Sequence, residues 1–171
     1  MFPRIALAVA LAALVLPVTA TAGEAVSRKS SNGKPDPQQI ERGRYLVKIA
    51  GCNDCHTPGY AMNNGKVPES VWLTGDKLGW RGPWGTTYAI NLRLHMRDMS
   101  ETTWVQTAKT KQARPPMPWF ALHDMTEQDL KAIYQYVKVL GPAGEPAPAY
   151  VPPNQEPKGP YVQFPAPPSR Q

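Results

Sequence analysis

The five residues Cys52-Asn53-Asp54-Cys55-His56 hold both cysteines of this 171-residue chain, and four chemistries compete for their spacing. A disulfide closing so short a loop removes little chain entropy and leaves His56 without a role. A thioredoxin-like dithiol needs strands and helices alternating around it, and the flanking sequence shows no such alternation. Zinc takes about four ligands, and beyond Cys52, Cys55 and His56 the chain offers only His95 and His123, in no finger-like spacing. The fourth chemistry is covalent haem. Two thiols at this separation reach both vinyl groups of one porphyrin, and the adjacent imidazole is carried beneath the iron as proximal ligand. One such motif means one haem c.

The sequence upstream of the motif reads as a helix from Asp36, its cap, and Pro37, its first-turn residue, to about Ala50. Ile40, Gly43, Val47 and Ala50 share one face. Glycine inside a helix costs about 1 kcal/mol against alanine, so Gly43 on the apolar face implies close approach of another backbone. Downstream, a helix starts near Ser100 with Trp104, Val105 and Ala108 inward. A further helix starts at Thr126, with Asp129 reaching back to its cap, and ends before Gly141-Pro142. Its apolar face is Leu130, Ile133, Tyr134, Val137 and Leu140. Between residues 57 and 99, dense Gly, Pro and Asn without sustained alternation predict loops rather than a sheet. The predicted class is therefore all-α, with three or more helices and long loops wrapped around the haem.

A sixth iron ligand is sought among Met62, Met96, Met99, Met117, Met125, His95 and His123. Met117 stands apart in Arg114-Pro115-Pro116-Met117-Pro118-Trp119, because flanking prolines fix the backbone and lower the entropy of holding a thioether against iron. His95 or His123 would instead give a bis-histidine centre of lower potential. Trp72, Trp80, Arg81, Trp84 and Trp104 are expected either to wall the haem, with Arg81 or an indole bonding a propionate, or simply to fill the core.

The ends of the chain read differently. Arg4, an apolar run from Ile5 to Leu16 and Ala20-Thr21-Ala22 have the order of a secretory signal, with cleavage expected after Ala22 and hence a periplasmic location. Twelve apolar residues span only about 18 Å, short of the roughly 30 Å of a bilayer core, so no stable membrane span is expected after cleavage. Residues 23–35 read as a flexible leader. Residues 142–171 form a proline-rich tail, expected to be extended; Tyr150, Val151, Tyr161, Val162 and Phe164 either pin it to the domain or leave it a disordered linker. Pro reaches 20 of 171 residues, which with the absence of any repeat excludes a collagen, a coiled coil and a multipass membrane protein. The formal charge of +6, which becomes +5 when Arg4 leaves with the signal, is carried by singly spread Lys and Arg without the dense block of a nucleic-acid surface, and reads either as an ordinary solvated surface or as suited to an acidic protein partner.

Residues 36–141 resemble the monohaem class I cytochrome c family, and more narrowly the c-type domains found with periplasmic dehydrogenases. The likeness lies in Arg42-Gly43-Arg44-Tyr45-Leu46-Val47 leading to Gly51–Thr57, in Gly85–Leu92, in Pro116-Met117-Pro118-Trp119 and in the closing helix with Ala132-Ile133-Tyr134. It implies His56 and Met117 as axial pair, and first and last helices crossing with Gly43 facing the region of Tyr134. The chain departs from the family after Asn91, at Leu92-Arg93-Leu94-His95-Met96-Arg97-Asp98, and in its tail. The expected function is single-electron transfer, without substrate turnover, as a soluble carrier or as the cytochrome subunit of a dehydrogenase, with a dehydrogenase or terminal oxidase as redox partner. Two rivals remain: a haem enzyme or gas sensor with an open sixth position, and a scaffold subunit that docks through the tail.

Overall fold

The computed structural model describes residues 36–165, so the expected signal peptide and leader lie outside the described residues, as do positions 166–171. Helix α1, Pro37–Ile49, starts where the Asp36 carboxylate accepts a hydrogen bond from the Gln38 amide at 2.9 Å. It ends at Ala50, and Gly51, with φ of 71°, turns the chain into the short helix α2, Cys52–His56. Only glycine adopts that left-handed conformation at little cost, so the residue before Cys52 sets the direction of the motif.

A hairpin follows, β1 (Gly79–Gly82) and β2 (Gly85–Tyr88), then helices α3 (Leu92–His95), α4 (Glu101–Thr110), α5 (Trp119–Asp124) and α6 (Glu127–Leu140). The Ser100 hydroxyl caps α4 by accepting from the Thr103 amide at 3.1 Å, and the Trp104 indole donates to the Leu130 carbonyl at 2.8 Å, tying α4 to α6. The Thr126 hydroxyl caps α6 by accepting from the Asp129 amide at 3.1 Å. The Asp129 carboxylate pairs with Arg42 of α1 at 2.9 Å, and hydrogen bonds with the Arg42 and Thr126 side chains hold its pKa below the ordinary carboxylate value.

The crossing of α1 and α6 organises the core. A β-carbon on Gly43 would stand 2.0 Å from the Ala132 carbonyl oxygen and 2.7 Å from the Tyr136 β-carbon, so only a bare backbone fits. The partner of Gly43 is thus the Ala132–Tyr136 ridge rather than Tyr134. Residues four apart share a helix face, and Tyr134, midway between them, points elsewhere and donates its hydroxyl to the Met99 carbonyl at 2.8 Å. Leu46, Val47, Trp72, Leu73, Met96, Trp104, Leu130, Ile133 and Val137 complete the buried cluster.

The loops expected between 57 and 99 contain strand, which corrects the all-α reading. Gly79, Trp80, Arg81 and Gly82 pair antiparallel with Tyr88, Thr87, Thr86 and Gly85 across the two-residue turn Pro83-Trp84. Strands of four residues are too short to show alternation, but Gly-Pro-Trp-Gly between β-favouring residues was a legible turn signal. The sheet gains a third strand from the tail: β3, Tyr161–Gln163, lies parallel to β1, giving the order β2-β1-β3.

The tail is laid along the domain over its described length. The Asn91 side chain donates to the Ala143 and Glu145 carbonyls, Val151 exchanges two backbone hydrogen bonds with Thr86, and Phe164 packs on Trp80 and Trp84. Arg93, in the segment where the chain departs from the resembled pattern, is buried and donates to the Leu140 and Gly141 carbonyls at the end of α6 and to the Ser70 carbonyl. Its charge meets the unpaired carbonyls of a helix C-terminus, where cations are stabilising.

Candidate haem site

Helix α2 delivers Cys52, Cys55 and His56 to the border of a cavity of about 800 Å³. Its walls are largely apolar: Val47, Leu73, Trp80, Ala89, Ile90, Leu92, Trp104, Trp119, Leu122 and Ile133 contribute. No disulfide joins the two thiols, and burial pushes that of Cys52 up to about 11 and that of Cys55 upward as well.

His56 is held from two directions. Its ring Nδ1 lies 2.7 Å from the Ile90 carbonyl oxygen, and its own carbonyl accepts from the Gly75 amide at 2.8 Å. A carbonyl can only accept, so Nδ1 carries the proton and Nε2 is left with a lone pair for a metal. Burial lowers the His56 pKa, partly offset by the Ile90 hydrogen bond, which keeps the imidazole in the neutral form that coordinates. Gly75, at φ of 80°, is required here: a β-carbon would lie 2.8 Å from the Asn91 amide and 3.0 Å from the Ile90 carbonyl carbon. Behind the motif, the Thr57 hydroxyl donates to the Asn53 side-chain oxygen at 2.7 Å and accepts from the Leu73 amide at 2.8 Å. This buried chain of bonds locks α2 to Leu73, whose φ of 62° is a strained value for a leucine.

These residues fit a porphyrin on the structure's own terms. The cavity is largely apolar and bordered by two thiols, and the Nε2 of His56, its ring oriented by the Ile90 carbonyl, is available to iron. A family model described as cytochrome c matches residues 40–141, more than half of the chain. The chain belongs to the cytochrome c family. Searches of curated proteins and of solved structures each matched nothing. In a cytochrome c, haem is attached covalently, and Cys52 and Cys55 provide the two thiols of the attachment motif.

The remaining sequence candidates separate around the cytochrome c cavity. Met117, Met96, Met125 and His95 line it. Met62 is exposed, and His123 stacks on Trp119 at 4.9 Å with its Nε2 against the Lys111 carbonyl. Met99 packs against the core. Of the residues expected either to wall the haem or to fill the core, Trp80 and Trp104 line the cavity, and Trp104 also belongs to the core cluster. Trp72 sits instead between Tyr60 and Tyr136, and Trp84 packs on Phe164. The Arg81 guanidinium, expected at a propionate, is taken by the tail: it pairs with Glu156 at 2.8 Å and donates to the Gln155 carbonyl at 2.7 Å. Sequence reading gave no site role to Gly75 or Ile90, named Trp119 only within the Met117 motif, and named Tyr150 only as an anchor of the tail. Ile90 acts through a backbone carbonyl, which no residue type betrays, whereas Trp119 was already beside Met117.

Proposed function

We propose that this cytochrome c is an exported one-electron carrier whose haem iron is ligated by His56 and Met117. When bound, the haem iron would supply a ferrous–ferric couple; Cys52 and Cys55 would hold the porphyrin, and His56 and Met117 the iron, in a largely apolar cavity. The observation that carries the reading is that Met117 borders the same cavity as His56 and both thiols while standing outside the hydrophobic core. Met96 is fully buried in that core, and Met125 packs against it. Their thioethers already serve as packing. The Met117 loop is held in place by the Thr87 hydroxyl, which donates to the Pro115 carbonyl at 2.7 Å, and by the Trp119 amide, which donates to the Met117 carbonyl at 2.9 Å. A stiff ligand loop suits electron transfer, because little rearrangement accompanies the change of iron charge.

Export and the role of the molecule follow the same reading. The N-terminal signal pattern supports a periplasmic location, and no helix among the described residues is long and apolar enough to cross a membrane. A redox protein partner is the natural correlate of a cytochrome c, and a periplasmic dehydrogenase is the one the sequence resemblance favours. The test is optical. The reduced protein exposed to carbon monoxide keeps its spectrum, and the oxidised protein shows a far-red sulfur-to-iron band that Met117→Ala abolishes. A carbon monoxide adduct on the wild-type protein would favour an open sixth position and overturn the carrier assignment.

A further inference from the structure

We infer that the proline-rich tail acts inside the molecule as a brace for the distal ligand, with Tyr150 and Arg114 as positioning residues; this rests on the assignment of Met117 to the iron. The tail borders the cavity itself, through Pro148, Ala149 and Tyr150. The Tyr150 ring carries the Arg114 guanidinium at 3.9 Å from its centroid, and its hydroxyl donates to the Trp84 carbonyl at 2.8 Å. Arg114 is three residues before Met117, so the stacked pair fixes the entry to the ligand loop. The ring is itself fixed. Thr86 and Val151 exchange backbone hydrogen bonds of 2.8 and 3.0 Å, and Gly85 makes room: a β-carbon there would stand 2.4 Å from the Val151 carbonyl and 2.8 Å from the Tyr150 hydroxyl oxygen. The ligand loop is therefore held twice to the β2 region, directly by Thr87 on Pro115 and indirectly through the Arg114–Tyr150 stack. Tyr150 serves as a clamp rather than as a docking hook for another protein.

The physical consequence is a cost for moving Met117 away from the iron. A cation–π contact plus a hydrogen bond amounts to roughly a tenfold effect on that equilibrium. The experiment is displacement of the sixth ligand by free imidazole in the oxidised full-length holoprotein, followed by loss of the far-red sulfur-to-iron band. Tyr150→Leu, which removes both the stack and the hydroxyl's hydrogen bond, is expected to bind imidazole about tenfold more tightly than wild type, and Arg114→Ala, which removes the stack alone, about threefold. The double variant is expected to exceed the larger single effect little, because both substitutions break one contact. Tyr150→Phe keeps the ring under Arg114 and loses the bond to Trp84, so its affinity should fall between those of Tyr150→Leu and wild type. Arg114 is exposed, so its variant tests the contact even where Tyr150→Leu does not fold. Imidazole affinity unchanged in Arg114→Ala, with the far-red band present in wild type and lost in Met117→Ala, would overturn the brace and leave the ligand assignment standing. Absence of the band from wild type would remove both.

Discussion

At the scale of single residues, the orientation of His56 depends on a carbonyl and a glycine rather than on another side chain. The Ile90 carbonyl accepts from Nδ1, and Gly75 lets the segment Ala89–Asn91 pass close enough to do so. Gly75→Ala would impose both a left-handed strain and a backbone clash. The expected result is a loss of about 1–3 kcal/mol in chemical denaturation together with reduced haem occupancy, read as the ratio of haem to protein absorbance. Asp129 gives a pH signature of the opposite kind. The Arg42 hydrogen bond holds its carboxyl below the ordinary value, so its stabilising contribution is present above the unfolded carboxylate pKa near 4 and is lost as pH falls through the lower folded value. Arg42 is half-exposed and screened, which limits the pair to about 0.5 kcal/mol. Urea denaturation should therefore show Asp129→Asn slightly weaker than wild type at pH 7 and equal to it near pH 2. The attachment residues were legible from spacing alone, because the chemistry demands two thiols and an imidazole within five positions. The supports of His56 were not, because they act through backbone atoms brought together over long sequence separations.

Among the elements, the α1–α6 contact carries the most consequence for the fold. Gly43→Ala gains about 1 kcal/mol of helix propensity. It must also move the Ala132 backbone away from an overlap at 2.0 Å, which costs about 1–3 kcal/mol or more in a packed core. The overlap wins, and the variant is expected to be destabilised by about 1–2 kcal/mol in guanidinium titration; equal or greater stability would show that the helices separate without loss. The glycine was readable as a close-approach site facing the region of Tyr134, and the structure narrows its partners to the flanking Ala132 and Tyr136. A face is a matter of rotation about the helix axis, and a one-dimensional pattern rich in apolar residues on both sides of α6 leaves that rotation undetermined. The hairpin escaped for a related reason. Strands of four residues, both beginning with glycine, carry no period, and their pairing is stabilised by a tail segment more than sixty residues away.

For the whole molecule, net charge and the cavity's position bear on encounter with a partner. Lys111 and Arg114 border the cavity and are exposed, within a chain of formal charge +6. An acidic redox partner should be steered to that rim, so its electron-transfer rate with this protein is expected to fall as salt rises from about 0.01 to 0.15 M, where the screening length shrinks from roughly 30 to 8 Å. A rate independent of ionic strength would place the encounter elsewhere. The tail belongs to this scale too: composition showed its extended character and left its placement open, and its placement came from contacts with Asn91, Thr86 and Arg81. All of this presumes a porphyrin joined to the chain at α2, and that is tested by denaturing the mature protein, separating small molecules from polypeptide and recording the visible spectrum. The account requires the haem absorbance to travel with the polypeptide and to be lost from it when both Cys52→Ser and Cys55→Ser are introduced. A colourless polypeptide with two thiols open to alkylation would contradict it.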